Sequence, residues 1–279
     1  MNTNKLLGMI LLLVAGVLAA PLTVAAMTTS SSSRDPLRSV AISPDTAAQR
    51  FTEALGQNTG AITAAKGVSV PRVSTAIDGA FETFYQVDSP AGSGFVDVHS
   101  GRIIGMAYLA SLPTTKHVQI SSAQAEQNAG DFLASLAVPT TGLSPVVTLI
   151  DHGDSCEYHV TWTKRVGDVL VPDNRSVSVN PETGVVFGFQ DHRHPYSQPP
   201  AAKVSKSAAI AKAISTVAPG SDATATAELQ VVFDMSGSQH LVWQVEVTSY
   251  IGPASSSSRA SDLTAVRVEA IDGSASIAS

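Results

Sequence analysis

Cysteine occurs once in the 279 residues, at Cys156, so no disulfide can form within the chain and cohesion has to come from packing. Charge is also scarce. Asp, Glu, Lys and Arg make up 14% of the residues and the net charge is -6, with no Lys/Arg cluster. That balance argues against nucleic acid and anionic lipid as main partners. Aromatic residues are only 5%. Several catalytic signatures are missing too. There is no G-x-S-x-G elbow, no G-x-G-x-x-G turn, no phosphate-binding loop and no H-E-x-x-H helix. What is present is a hydrophobic fraction of 44%, enough for a core, and a surface rich in Ser, Thr and Ala.

The N-terminus reads as an export segment. Lys5 supplies a short positive region, Leu6 to Leu18 is almost wholly apolar, and Val24-Ala25-Ala26 fits a small-residue cleavage site. Residues 6–26 are also long enough to span a bilayer, so residues 1–26 are expected to be either a cleaved signal peptide or a retained anchor. Either way the rest of the chain is expected outside the cytoplasm, secreted or held at the membrane through that segment alone. Residues 27–40, with Ser30 to Ser33, have no apolar period and read as a Ser/Thr-rich tether.

Beyond the tether the same order of elements is expected three times. Ser43, Ser121 and Ser205 each stand where a helix N-cap would, and each follows an apolar residue: Ile42, Ile120 and Val204. Pro44 suits a first helical position, and Ser121 with Gln124 fits a capping box. Helical stripes follow at Ala47, Ala48, Phe51, Ala54 and Leu55; at Ala125, Ala129, Phe132, Leu133 and Leu136; and at Ala208, Ala209, Ala211, Ile214 and Val217. Each helix is followed by strand-like runs and a glycine turn. The three caps are 78 and 84 residues apart, and the turn glycines Gly101, Gly184 and Gly273 are 83 and 89 apart. The reading is therefore an α+β chain of three tandem units, each one helix packed on a small antiparallel β-sheet: 41–110, 118–190 and 204–279. Residues 191–203, with Pro195, Pro199 and Pro200, read as a Pro-rich linker.

The clearest hairpin is Arg175 to Gln190. Val177 and Val179 alternate with Ser176 and Ser178, Asn180 to Gly184 supply turn chemistry, and Val185 to Phe189 return. The run Val179-Asn180-Pro181-Glu182-Thr183-Gly184-Val185-Val186 resembles the closing V-N-P-x-T-G-x-V hairpin of PepSY modules, in which a helix precedes antiparallel strands. The likeness is strongest in the middle unit. The outer units carry His99 and Ile271-Asp272-Gly273 at the corresponding turn. PepSY modules are similar to segments in the propeptides of secreted thermolysin-like proteases, where they are linked to inhibition or chaperoning. The resemblance thus implies a non-enzymatic binding or regulatory role, with a secreted protease or an envelope component as partner. It implies no cofactor and no catalytic residue.

Two polar groupings compete with that reading. His192 and His194 lie two apart in Asp191-His192-Arg193-His194 and are weak candidates for metal ligands, since zinc needs three or four convergent donors. They define the alternative of a metal-dependent extracellular enzyme; a structural cell-surface spacer is a further one. Cys156 has His159 nearby, but on a strand the odd separation sends the two side chains to opposite faces. Asn174-Arg175-Ser176 matches a glycosylation triplet. Trp162 and Trp243 fall on comparable strands and read as core anchors.

Overall fold

The structure is a computed structural model that describes residues 41–57, 72–74, 77–78, 83–108, 112–218, 222–234, 236–251 and 260–278. The expected export segment and tether lie outside these residues. Among the described residues there are three helices and thirteen strands. The helices are α1 (Pro44–Gln57), α2 (Ser122–Ser135) and α3 (Lys206–Val217). Strands β1 (Arg72–Val73), β2 (Ile77–Asp78), β3 (Thr83–Ser89), β4 (Gly92–Asp97) and β5 (Ile103–Tyr108) lie between α1 and α2. Strands β6 (Ser144–Asp151), β7 (Cys156–Val166), β8 (Val169–Val179) and β9 (Val186–Arg193) follow α2. Strands β10 (Ala223–Phe233), β11 (Gln239–Ile251), β12 (Ala260–Glu269) and β13 (Ala275–Ile277) follow α3. The class is α+β with a mixed sheet, because β8 and β10 pair in parallel at Leu170 and Gln230 while the other registers are antiparallel.

The chain divides into two compact bodies. The first holds the described residues from 41 to 141 together with 145–162 and 175–191, and so contains α1 and α2. In it β3, β4 and β5 form a meander, and β5 lies antiparallel to β9 with Met106 opposite Phe189. The second holds 142–144, 163–174 and 192–279, and so contains α3. There β10 to β13 run as a simple antiparallel meander.

Each helix starts where its serine requires. The Ser43, Ser121 and Ser205 hydroxyls accept from the backbone N–H of Thr46, Gln124 and Ala208, satisfying a donor that the first helical turn leaves free. Four residues beyond each cap stands an alanine, Ala47, Ala125 or Ala209, and each is fully buried. Eight residues beyond stand Phe51, Ala129 and Ala213, again fully buried. In the last two helices small residues at both turns let the helix backbone approach the sheet, as where Ala209 and Ala213 meet Val245, Val247, Val266 and Val268. In α3 the expected stripe is corrected. Ala208 and Ala211 are exposed and Ala213 is buried, because a run of alanines gives no contrast between faces. The Ser121→Ala variant should lose about 1 kcal/mol of stability, read as a lowered urea midpoint at unchanged slope.

One set of hydrogen bonds then occurs three times. The residue before each cap donates its N–H into the glycine turn: Ile42 to Val98 O at 2.8 Å, Ile120 to Pro181 O at 3.1 Å, Val204 to Ala270 O at 3.0 Å. The carbonyl of the same residue accepts from an aromatic on the sheet: Tyr85 Oη at 3.1 Å, Tyr158 Oη at 3.2 Å, Trp243 Nε1 at 2.9 Å. Within the turn, Gly101, Gly184 and Gly273 donate to the carbonyls of Asp97, Asn180 and Glu269 at 2.8–2.9 Å. Those residues in turn donate to the carbonyls of Arg102, Val185 and Ser274. All three glycines have positive φ, 67°, 74° and 79°, which only glycine adopts without strain. The turn backbone is therefore the same where the side chains differ. Asn180 Oδ1 caps its own turn from Glu182 and Thr183, Asp97 Oδ1 accepts from Ser100, and in the last turn Asp272 accepts from Ser274.

Candidate functional site

The stretch expected as a linker from residue 191 begins as a strand. β9 runs through Arg193, so Asp191 and His192 are held in the sheet and only His194 and the prolines follow it. The His192 and His194 rings are 6.1 Å apart between centroids, inclined at 41°. The His194 ring meets Phe233 edge-on at 6.4 Å, and the His194 backbone N–H donates to Pro172 O at 3.0 Å. Among the described residues no group of three or more His, Cys, Asp or Glu side chains is arranged to hold a metal ion. The pair is thus placed by packing and backbone bonds, with no third ligand brought to it.

Cys156 is 4% exposed, and burial pushes its thiol above the ordinary range, away from the reactive thiolate. It faces the core, whereas His159 shares the opposite strand face with Glu157. Arg175 and Ser176 of the glycosylation triplet are buried within β8, a poor acceptor setting. Trp162 is buried and Trp243 half-buried, but they are not counterparts. The residue bonded like Trp243 is Tyr158, four residues before Trp162 on the same face of the strand.

The structure assembles two buried polar clusters that periodicity alone does not reveal, both in the first body. In the first, the Asp191 carboxylate is fully buried, 2.8 Å from Arg102 Nη1 and 3.6 Å from Arg175 Nε, and Arg175 is itself 4% exposed. Arg102 follows the Gly101 turn and Arg175 opens the expected hairpin, so strands distant in sequence bring them together. In the second, Glu157 is buried on β7, with His152 Nε2 at 3.7 Å from Oε2 and His159 Nδ1 at 3.8 Å from Oε1. Ser178 on β8 donates to Oε1 at 3.4 Å. Burial raises the Glu157 carboxyl above its ordinary range, partly opposed by His152 and Ser178, and burial lowers His159. The two-residue step from Glu157 to His159 was the available signal for their shared face.

In the second body His240 sits between two carboxylates, Asp234 and Glu269, each at 3.3 Å. The Ser236 hydroxyl and the Ser238 N–H help bring Asp234 down to about 2. The trio ties the β10–β11 turn to β12. Arg165 pairs with Glu228 across β7 and β10. Two open hollows lie on the first body. One of about 490 Å³ is lined by Arg50, Glu53, Ser100, Leu136 and Val138; one of about 270 Å³ by Ala123, Glu126, Gln127, Gly130 and Trp162. The Ser100 hydroxyl at the first donates to Asp97 Oδ1 within its own turn. No helix among the described residues is long and apolar enough to cross a membrane.

No protein-family model and no curated protein sequence matches the chain. Among solved structures it is similar to the YpeB C-terminal domain of Bacillus megaterium, at 16% identity and a TM-score of 0.46, over 86% of this chain and 99% of that one. It is also similar to an uncharacterized protein from Eubacterium rectale, at 11% identity and a TM-score of 0.49, over 81% of each chain.

Proposed function

We propose that this chain is an exported, non-enzymatic protein built from three PepSY-like units that binds and regulates another extracytoplasmic protein, with a secreted protease as the first partner to test. The observation that carries the reading is the recurrent bond set around Ile42, Ile120 and Val204. In each case a cap, an aromatic donor and a positive-φ glycine meet at one point. Twelve backbone and side-chain bonds in the same pattern, with the same spacing inside each glycine turn, are far harder to reach by chance than three evenly spaced helices. The middle copy also carries the V-N-P-x-T-G-x-V hairpin on which the PepSY resemblance rests.

The polar clusters support a binding role over catalysis. Asp191 and Glu157 are spent on neighbouring arginines and histidines inside the fold, not displayed with a nucleophile in a hollow. The test is inhibition of a panel of secreted metalloproteases by the purified full-length chain, together with fractionation of producing cells. The reading expects saturable loss of activity for at least one protease and the chain outside the cytoplasm. A cytoplasmic chain, or one that neither inhibits nor is captured by any extracytoplasmic protein, contradicts it. Metal analysis on the same sample addresses the His192/His194 alternative: stoichiometric zinc lost in His192→Ala and His194→Ala would favour the enzyme instead.

A further inference from the structure

Glu157 is the large charged side chain among the fully buried residues of this fold. Its surroundings are built for one proton. Two imidazole nitrogens, His152 Nε2 and His159 Nδ1, approach its two oxygens from separate sides, and both are buried without a hydrogen bond. The separations of 3.7 and 3.8 Å are too long for direct bonds and short enough for strong coupling. Ser178, on β8, donates a hydrogen bond to the carboxylate at 3.4 Å. Asp151, beside His152, is turned away to Lys116 Nζ and the Gly153 N–H, each at 2.8 Å. The charged groups that face Glu157 are therefore His152 from the β6–β7 turn and His159 from β7 itself.

We infer that Glu157 and His159, with His152 packed beside them, form a proton-binding site that makes the fastening of the β6–β7 turn sensitive to acid. With no proton the cluster is a buried anion; with one it is neutral; with two it is a buried cation. The proton comes from solvent, which reaches the cluster past His152 and His159, whose side chains are 23% and 33% exposed. The linkage signs follow. Because His159 is lowered, its contribution to stability is present above about pH 6.5 and is lost as pH falls below that value, where the unfolded imidazole takes up a proton. Because Glu157 is raised, its contribution is lost in the opposite direction, as pH climbs from about 4.5 through the folded value. The site stands apart from the partner-binding role, since it needs no ligand but the proton.

The test is NMR titration of the histidine C–H signals of the full-length chain, with thermal unfolding followed from pH 8 to pH 5. His159 is expected to titrate below its ordinary midpoint in the parent. In Glu157→Gln, which removes the anionic anchor, its proton affinity should fall further, by about tenfold or more. The acid limb of the thermal profile should flatten in His159→Asn. If Glu157→Gln does not fold, His152→Asn serves: with its competitor gone, His159 should gain proton affinity. An ordinary His159 midpoint in the parent, or one that moves in neither variant, overturns the inference. So does stabilisation by micromolar zinc at neutral pH that vanishes in His152→Asn, which would make the cluster a metal centre.

Discussion

Replacing Asp191 with alanine should lower the stability of the first body by about 3–5 kcal/mol, the cost of leaving a buried charge without its partner. Asp191 has no exposed side-chain surface, and Arg175, 3.6 Å away, is 4% exposed. Arg102, bonded at 2.8 Å, keeps 22% exposure and can turn to water, but Arg175 cannot. The loss therefore comes mainly from the buried Arg175, which loses this carboxylate, and less from the Arg102 bond itself. Asp191→Asn keeps the volume and a hydrogen-bond acceptor while removing the charge, so it should fall between the parent and the alanine variant. The measurement is urea unfolding monitored by fluorescence. A loss below about 1 kcal/mol for Asp191→Ala, the size of an exposed ion pair, would mean that Arg175 does not depend on this carboxylate.

The second large effect is expected at the turn glycines. Gly184→Ala should cost about 2–3 kcal/mol, combining the left-handed backbone penalty with the hydrogen bond it displaces. A β-carbon there would stand 2.7 Å from Asn128 Nδ2, which donates to Gly184 O at 2.8 Å and ties α2 to the turn. Gly101 is similarly crowded, with Arg50 Nη1 2.5 Å from the added carbon, and Arg50 donates to both Ser100 O and Gly101 O. Arg50 and Asn128 each stand seven residues beyond their cap, so the two contacts are positional equivalents. Gly273 and Gly153 share the positive φ but leave room: nearest is Val204 Cγ2 at 3.6 Å, and nothing lies within 4 Å of Gly153. Alanine at those two should cost only the backbone term, about 1–2 kcal/mol. The predicted order is Gly184 and Gly101 above Gly273 and Gly153. Equal losses at all four would show that the helix-to-turn contacts contribute nothing.

What the sequence made legible was what local chemistry determines. A serine cap, the apolar residue before it and a glycine at a turn each act within a few residues, and all nine positions are placed as expected. The α+β class followed from the change of period between helix and strand. The longer reach of the strands was hidden. β8 begins at Val169, six residues before the hairpin expected from Arg175; the strand tolerates Pro172, whose carbonyl accepts from the His194 backbone N–H. β10 begins at Ala223 in an Ala/Thr alternation too faint to score. The extension of β9 to Arg193 overrode the polar composition of Asp191-His192-Arg193, since Asp191 is accommodated by two arginines that no linear pattern links to it. The Glu157 cluster was hidden for the same reason: His152 arrives from a turn, and only the folded chain puts it beside β7.

The central claim is that one helix-and-hairpin lock is built three times, and amide hydrogen exchange reads it residue by residue. The lock places the N–H groups of Ile42, Ile120 and Val204, and those of Gly101, Gly184 and Gly273, in hydrogen bonds of 2.8–3.1 Å. All six should exchange as slowly as the ladder amides of the strands beside them. A copy in which this pair exchanges at the rate of free loop amides, while the pairs of the other two stay protected, would contradict the threefold account.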